Sequence, residues 1–536
     1  MTERTHRRRL SVQCTLMVNQ ACSPTSHGGG GMTLAGQTRQ APSGGSSDAT
    51  LAASDHTAIE SLTRLFDAQH ASFRQSGPPS LTERQKHLGA LAAMVMNNRS
   101  RIQEAMVADF AVHPEELTVM TEVLAVAGQA SYISQQLPLW AASQERYVDP
   151  TLFGSARSEI RYQPKGVLGV MGPWNLPFAL TLGPAADMLG AGNRVIIKPS
   201  EVAPACAELL RDMVTATFDS DRMAVVCGGL ELAKAFPALP WGHLVYTGNS
   251  TVGRQVAATA AQNLVPLTLE LGGKNPAIVH TDRVTDDTVR HILGNKLVKN
   301  GQICIAPDYC LVPRDQVTEF VERSMSYLQS TVPSYSESPD CVGIVNEHHL
   351  QRLVSLTEEA HARGCRVLTF PADGGVAVGT RQMPVSLIID PPDDLAVMQE
   401  EIFGPILPVK PYDSVDEAIA YVNSGPPPLG LYVFATDTSV VDHILNRTTS
   451  GGLCVNACTI QGAIPSLGFG GAGHSGYGRH RGVEGFREFS HQRAVVTRGE
   501  GDLIHAFFPP YSGLARSVVA AALDTPPSDA DTSKEN

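Results

Sequence analysis

The chain has no run of eighteen apolar residues, no C-x-x-C pair, no internal repeat and no excess of basic charge. Each absence removes a class of function. Without a long apolar run no transmembrane helix is expected. Ten cysteines (Cys14, Cys22, Cys206, Cys227, Cys304, Cys310, Cys341, Cys365, Cys454 and Cys458) are scattered without zinc-ligand spacing or the density of a disulfide framework. They fit reduced thiols in a cytoplasmic compartment, and no metal centre. Lys and Arg total 41 against 53 Asp and Glu, a net charge of −12. A nucleic-acid or anionic-membrane surface would need a concentrated basic face, so a small neutral or weakly charged ligand is the better expectation.

What is present is a globular composition, 43% hydrophobic and 18% charged over 536 residues. That length allows about three domains, or one large enzyme with subdomains. Residues 1–55 differ in kind. HRRRL is followed by SHGGGG and APSGGSSD, which bury too little to order themselves, and an unstructured tail is expected. The apolar part LSVQCTLMV is too short, and too interrupted by Gln13, Cys14, Thr15 and Asn19, for a signal peptide. Met32 is a second candidate start. DTPPSDADTSKEN, residues 524–536, reads as a second unstructured tail.

From Ala58 to Ala142 the apolar positions recur at helical spacing, as with Leu88, Leu91 and Val95. ERYVDPTLFGSARSEIRYQP then reads as a polar β-hairpin turning around Gly154. After Gln163 short β-rich runs (GVLGVMG, RVIIKPS, MAVVCGG, HLVYTGN and PLTLELGG) alternate with helical stretches. Strand, helix, strand at this length predicts an α/β fold with a doubly wound parallel sheet, whose ligands sit beyond the carboxyl ends of the strands. A second α/β region follows from Lys274 to Gln461, with PAIVH, YCLVPRD, RVLTF, ILPVKPY and LYVFAT as strands. Its boundary falls at Gly272-Gly273, where two glycines permit a sharp change of direction.

Two cysteines six residues apart, in NGQICIAPDYC, pose the chemical question. Cys310 alternates like a buried strand residue, the commoner fate of a free cysteine. Cys304 precedes Pro307, and only its relation to other groups decides its role. Glu270 shares one face of its strand with Thr268, opposite Leu267, Leu269 and Leu271, and the strand ends at once in Gly-Gly. It is either a solvent-facing residue or a catalytic carboxylate presented at the strand end. Asn175, in GVMGPWNLPF, is an ordinary turn asparagine or an amide donor to an oxyanion. Lys198 and Glu201, beyond the strand RVIIK, are a solvated pair or a clamp for the hydroxyls of a ribose. YTGNSTVG places Gly248 and Gly253 at a strand–helix junction suited to a pyrophosphate, although helix capping by Asn249 or Ser250 explains part of the pattern. Gly468–Gly473 spells a literal G-x-G-x-x-G, but neither a preceding strand nor a following helix supports a dinucleotide fingerprint there, and a tight or flexible loop is expected.

Taken in order, PWNLPF, KPSE, YTGNSTVG, LELGGKNPAIV, NGQICIAPDY, EEIFGPILPV and GFGGAGHSGYGRHRGVEGF resemble the aldehyde dehydrogenase superfamily in spacing as well as content, including the 34 residues from Glu270 to Cys304. The resemblance covers Ser61 to Ala515. APDY and HAFFPPYSGLA resemble the branch of coniferyl aldehyde dehydrogenases and related class 3-like enzymes. The resemblance implies Cys304 as nucleophile, Glu270 as the base for water, and Asn175 with the Cys304 N–H as oxyanion hole. It implies NAD as cofactor, with NADP possible. Pro173, Trp174, Ser200 and Leu271 would contact the cofactor, Lys198 and Glu201 its adenosine ribose, Gly248, Asn249, Ser250 and Gly253 its pyrophosphate, and Glu401 with Phe403 its nicotinamide end. The implied domains are a dinucleotide-binding domain (56–145 and 164–271), a catalytic domain (272–461), a catalytic-mouth and return segment (462–489) and small β oligomerisation arms (146–163 and 490–500), in a homodimer or homotetramer.

Three positions depart from the family's pattern. Asn249 stands where serine is usual, Gln461 where this branch often has histidine, and Gly468 where proline is usual. The expected activity is oxidation of an aldehyde, coniferyl or another aromatic or medium-chain one, to its carboxylate through a thiohemiacetal and thioester on Cys304. A CoA-acylating enzyme is the first alternative, against which Glu270 speaks. A non-catalytic binding protein on the same scaffold is the second.

Overall fold

A computed structural model describes residues 47–524, apart from 373 and 378. The chain divides into two units, one comprising the residues up to Trp140 together with Pro164–Ser490, the other Ala141–Gln163 with the residues from His491 onward. Ser47–Ser76 is a helix, so the expected N-terminal tail is corrected at its end: residues 47–55 are helical. The reason is an anchor at Asp55, which is buried and accepts the Gly229 and Glu231 N–H groups at 2.6 and 3.0 Å. The rest of that stretch, with Cys14, Cys22 and Met32, lies outside the described residues, as does the chain after Asp524.

In chain order, β1 (Gln144–Arg146) and β2 (Arg157–Pro164) form the expected antiparallel hairpin, with a helical turn Pro150–Phe153 and then Gly154 in its loop. Next come β3 (Val167–Met171), β4 (Arg194–Lys198), β5 (Met223–Val225), β6 (His243–Gly248) and β7 (Leu267–Leu271), all parallel. The second series is β8 (Pro276–Val279), β9 (Tyr309–Pro313), β10 (Arg366–Phe370), β11 (Val385–Ile389), β12 (Ile406–Tyr412), β13 (Gly430–Phe434) and β14 (Gly452–Val455). Finally β15 (Gly476–Tyr477) returns to pair antiparallel with β7, and β16 (Ser490–Thr497) joins β1 and β2 in the three-stranded sheet of the second unit.

The first sheet runs β15-β7-β6-β3-β4-β5. After β3 the chain moves outward through β4 and β5, then returns to the other side of β3 for β6 and β7. The gap above β3 and β6 is thus a topological switch point, where a parallel sheet opens a crevice. Both faces are covered. Val167, Met171, Ile196, Leu244, Leu269 and Leu271 pack with Leu62, Phe66 and Val256 from the helices on one side. The helix Ala179–Gly190, buried at every residue, covers the other and carries the helices Leu81–Asn97 and Ala125–Trp140 on its back. Strands buried on both faces explain the near-continuous apolar runs VLGVM and RVIIK. The second sheet runs β10-β11-β12-β9-β8-β13-β14, parallel except for β10. The chain changes sheet between Leu271 and Pro276, at the double glycine. Among the described residues no helix is long and apolar enough to cross a membrane.

The Gly468–Gly473 stretch opens no regular α-helix. Phe469 and His480 pair across it, and β15 lays Gly476 opposite Glu270. Gly476 has φ +122, and a Cβ there would sit 1.9 Å from the Leu269 carbonyl oxygen, so the close approach of this loop to β7 requires glycine.

Asp55→Ala removes two hydrogen bonds from a buried carboxylate to the Gly229 and Glu231 backbone and is expected to lower the unfolding free energy by about 1–2 kcal/mol, read by urea denaturation. An unchanged midpoint would show that the helix before Ala58 adds nothing to the fold.

Candidate active site

A cleft of about 390 Å³ opens at the switch point. Pro173, Trp174 and Asn175 reach it from the loop after β3, Lys198, Ser200 and Glu201 from the end of β4, Gly248 and Asn249 from the end of β6, and Glu270 from β7. Phe403 closes its far end, its ring edge-on to Trp174 with centroids 4.9 Å apart. Ser250, Gly253 and Leu271 do not line it, and Gly253 leaves room for the Leu271 side chain. Glu401 does not border the cleft. Its Oε2 accepts the Gly273 N–H at 3.1 Å, and Glu400 lines the cleft instead.

Two features of the cleft suit a dinucleotide. The buried Lys198 ammonium donates to Glu201 and to the Pro199 carbonyl, presenting a charged pair at the rim. The helix Ser250–Ala261 starts at the cleft with Asn249 as its N-cap, whose Oδ1 accepts the Val252 N–H at 2.9 Å. Asparagine therefore serves where serine was expected, and the leading amides of that turn, which have no intrahelical partner, suit an anion. His349 and Arg352 also line the cleft and were not singled out from the sequence. They stand three apart on the helix Glu347–Ala362, with the His349 ring 5.0 Å from Trp174. The only signal was a polar pair at helical spacing. Burial, aided by Arg352, lowers the His349 pKa to about 4, which keeps its ring neutral.

Glu270 is 4% exposed, and neither carboxylate oxygen has a hydrogen-bond partner. His480 Nε2 lies 3.9 Å from Oε1. Burial pushes the Glu270 carboxyl well above its ordinary pKa, partly offset by Arg481 and Arg479. Burial and Arg481 push His480 well below its own, so burial disfavours the charged form of both groups. Arg481 has φ +66, and its N–H donates to buried Asp187 at 2.8 Å.

Cys304 lies before β9, at the amino edge of the second sheet, rather than beyond a carboxyl end. It is 6% exposed and packs with Ile305, Leu429 and Phe469. The Asn175 side chain donates to the Gln302 carbonyl at 3.3 Å, two residues before the thiol. Asn275 donates to the carbonyls of Cys304 and Ala306 and accepts the Gly430 N–H at 2.7 Å. Cys310 is wholly buried in β9 between β8 and β12, and burial raises its thiol pKa. The two cysteines therefore have unlike surroundings. Gln461 accepts from the Cys454 thiol and approaches Tyr432, whose hydroxyl donates to the Ile305 carbonyl beside Cys304. Gly468 lies against Glu484. Among the described residues no three His, Cys, Asp or Glu side chains gather as a metal site.

The aldehyde dehydrogenase family profile matches residues 39–495. The chain is 38% identical over 479 residues to a probable coniferyl aldehyde dehydrogenase of Caulobacter vibrioides, covering 88% of this chain and 98% of that one. It is 35% identical over 471 residues to the coniferyl aldehyde dehydrogenase of a Pseudomonas species, covering 87% and 97%. The fold is similar to the substrate-bound state of Staphylococcus aureus AldH, with a TM-score of 0.81 at 31% identity over 86% of this chain and 99% of that one.

Because Glu270 holds its proton to higher pH when folded than when unfolded, its burial subtracts stability as pH rises from about 4.5 through its folded pKa. Glu270→Gln is expected to match the wild-type Tm near pH 4.5 and to exceed it by a margin that widens toward pH 8. A Tm difference independent of pH would contradict the buried acid.

Proposed function

The chain belongs to the aldehyde dehydrogenase family and is an NAD(P)-dependent oxidoreductase acting on aldehydes; from that premise we propose that it uses NAD and hydrolyses a thioester on Cys304 to release the carboxylate of an apolar aldehyde, of the aromatic or medium-chain class. The observation that carries the hydrolytic reading is Glu270, a carboxyl group on the cleft wall with no hydrogen bond to hold it. The preference for NAD rests on Glu201, whose carboxylate at the cleft rim would repel a 2′-phosphate. The substrate class rests on the apolar neighbours of Cys304, namely Ile305, Leu429 and Phe469, and on the coniferyl aldehyde activity for which two relatives are named.

In this mechanism the Cys304 thiolate adds to the aldehyde carbon. The carbonyl oxygen takes up the displaced electron pair and is held by the Asn175 amide and the Cys304 N–H. When bound, NAD(P) supplies the two-electron acceptor that the oxidation requires. Lys198 and Glu201 would hold its ribose, the turn at Gly248–Asn249 its phosphates, and Trp174, Glu400 and Phe403 its reactive end. Glu270 then takes a proton from water, the resulting hydroxide attacks the acyl carbon, and the Cys304 sulfur leaves as thiolate. A raised pKa suits that task, because a carboxylate of ordinary acidity is a poor base for water. Asn249 as helix cap leaves the phosphate site formed despite the departure from serine.

The second unit, with the exposed strand β16, is proposed to join copies of the chain as a homodimer or homotetramer.

Cys304→Ser is expected to abolish NADH formation, and Cys310→Ser to stay within a few-fold of wild type when folded. Asn175→Ala should slow hydride transfer about a hundredfold, or roughly 3 kcal/mol. Equal losses at the two cysteines would reverse the choice of nucleophile. Product formation that depends strictly on added CoA would replace hydrolysis by acyl transfer, and a panel of aromatic and aliphatic aldehydes followed by NADH absorbance would identify the substrate class.

A further inference from the structure

Lys299 and Glu122 form an ion pair at 3.5 Å with side chains 1% and 0% exposed. Burying two opposite charges gains little net stability, since the cost of desolvation consumes most of their attraction. A packed pair of neutral side chains would serve the core as well. What distinguishes these two residues is where each is fastened.

Glu122 lies in a π-helical turn, Val119–Leu124, a rare form that recurs at functional sites. Its Oε2 accepts the N–H groups of Phe178 and Ala179 at 3.1 and 2.9 Å, fixing the end of the loop that presents Asn175. Lys299 opens a turn of left-handed backbone, with φ +52 at Lys299, +53 at Asn300 and +72 at Gly301. That turn leads directly into Gln302 and Cys304. The Lys299 ammonium also sits 4.4 Å over the Phe110 ring, which in turn lies 6.3 Å from Trp174, the neighbour of Asn175. Neither Lys299 Nζ nor Glu122 Oε1 has a hydrogen-bond partner, so each depends on the other's charge. The ion pair therefore spans the two halves of the proposed oxyanion hole, the amide of Asn175 and the N–H of Cys304, in parallel with the bond from Asn175 to the Gln302 carbonyl.

We propose that Glu122 and Lys299 are positioning residues that set the distance between the Asn175 amide and the Cys304 backbone, so that both donors meet the developing oxyanion together. The inference rests on the reading of Asn175 as an oxyanion donor. Neither residue lines the cleft, so neither contacts the cofactor directly.

The test is the rate constant of the first turnover, followed as a single burst of NADH, with active sites counted from the burst amplitude. The variants are Glu122→Gln, Lys299→Met and the two combined, with Asn175→Ala as control. Glu122→Gln keeps an acceptor for the Phe178 and Ala179 amides, and the combined variant buries no unpaired charge. If the pair positions the donors, Lys299→Met and the combined variant slow the first turnover by roughly ten- to a hundredfold per active site, with the KM for NAD within twofold, even though combining them restores the Tm lost in the single variants. A purely structural pair would lower the Tm or the burst amplitude of the single variants but leave the rate constant within twofold, and the combined variant would recover both. That result overturns the proposal while Asn175→Ala remains slow. If Asn175→Ala also keeps the wild-type rate constant, the oxyanion reading falls and the proposal with it.

Discussion

The side chain of Asn275 ties the site together. It is 1% exposed and follows the double glycine at which the chain leaves one sheet for the other. Its two amide hydrogens go to the carbonyls of Cys304 and Ala306, and its oxygen takes the N–H of Gly430 at the start of β13. Three segments that are distant in sequence are thereby fixed to one planar group. A buried amide with both ends satisfied tolerates little displacement, because losing any one bond leaves a polar atom unpaired in the core. Glu270 lies five residues upstream, near the end of β7, which is paired on both sides. The relation of the carboxyl group to the Cys304 segment thus passes through a short stretch, Leu271 to Lys274, whose direction is set by Asn275 at one end and Glu401 at Gly273.

The loop from Glu400 to Gly404 is held in the same way from several sides. Lys274 donates to the Glu400 carbonyl, Asp308 accepts the Ile402 N–H, Arg352 donates to the Ile402 carbonyl, and Lys296 to that of Gly404. Phe403 takes φ +51 within this frame, a conformation that a bulky side chain adopts only when its surroundings impose it. Asp308 belongs to the Cys304 segment and also pairs with Lys274. The end of the cleft that carries Phe403 is therefore mechanically continuous with the segment that carries the thiol. Lys296, wholly buried and with its pKa lowered to about 8 by burial, shows that the frame is built even where keeping a charge inside is unfavourable.

Much of this was legible in the sequence, for identifiable reasons. The strands around the cleft were visible because burial on both faces leaves an uninterrupted apolar run ended by Gly, Pro or Asn, as in VLGVMG and RVIIKPS. Glu270 stood out because it is an acid on an apolar strand, and the alternation that set it opposite Leu269 and Leu271 is the alternation observed. β11 was missed, and so was β14, because VSLII and GLCV are short and carry no distinctive ends. His349 and Arg352 were missed because a helix that merely turns one face toward a cleft leaves no mark that separates it from a solvated helix. The helix before Ala58 was read as tail because its composition is poor in apolar residues, and the bonds that anchor it run from Asp55 to backbone far along the chain. The Glu400 and Glu401 assignment depended on which of two adjacent acids turns inward, a question of backbone direction that two identical letters do not encode.

Burial of Glu270 reconciles two demands that oppose each other. A carboxylate able to take a proton from water must be more basic than an ordinary one, and the fold raises the Glu270 pKa by withholding hydrogen bonds and solvent. The same withholding costs stability at neutral and alkaline pH. The arginines at 479 and 481 moderate the effect from a distance without pairing, since an ion pair in contact would return the group to ordinary acidity and defeat its use as a base. Beside it stands His480, whose own burial disfavours its charged form, a polar body that fills the space without fixing the charge. Asp187 secures this arrangement by accepting the Arg481 N–H and so holding the backbone turn that aims both side chains. On the proposed mechanism the absence of a partner at Glu270 is therefore a property the surrounding turn maintains, and the glycine at 476, which lets that turn lie directly against β7, is where the maintenance begins.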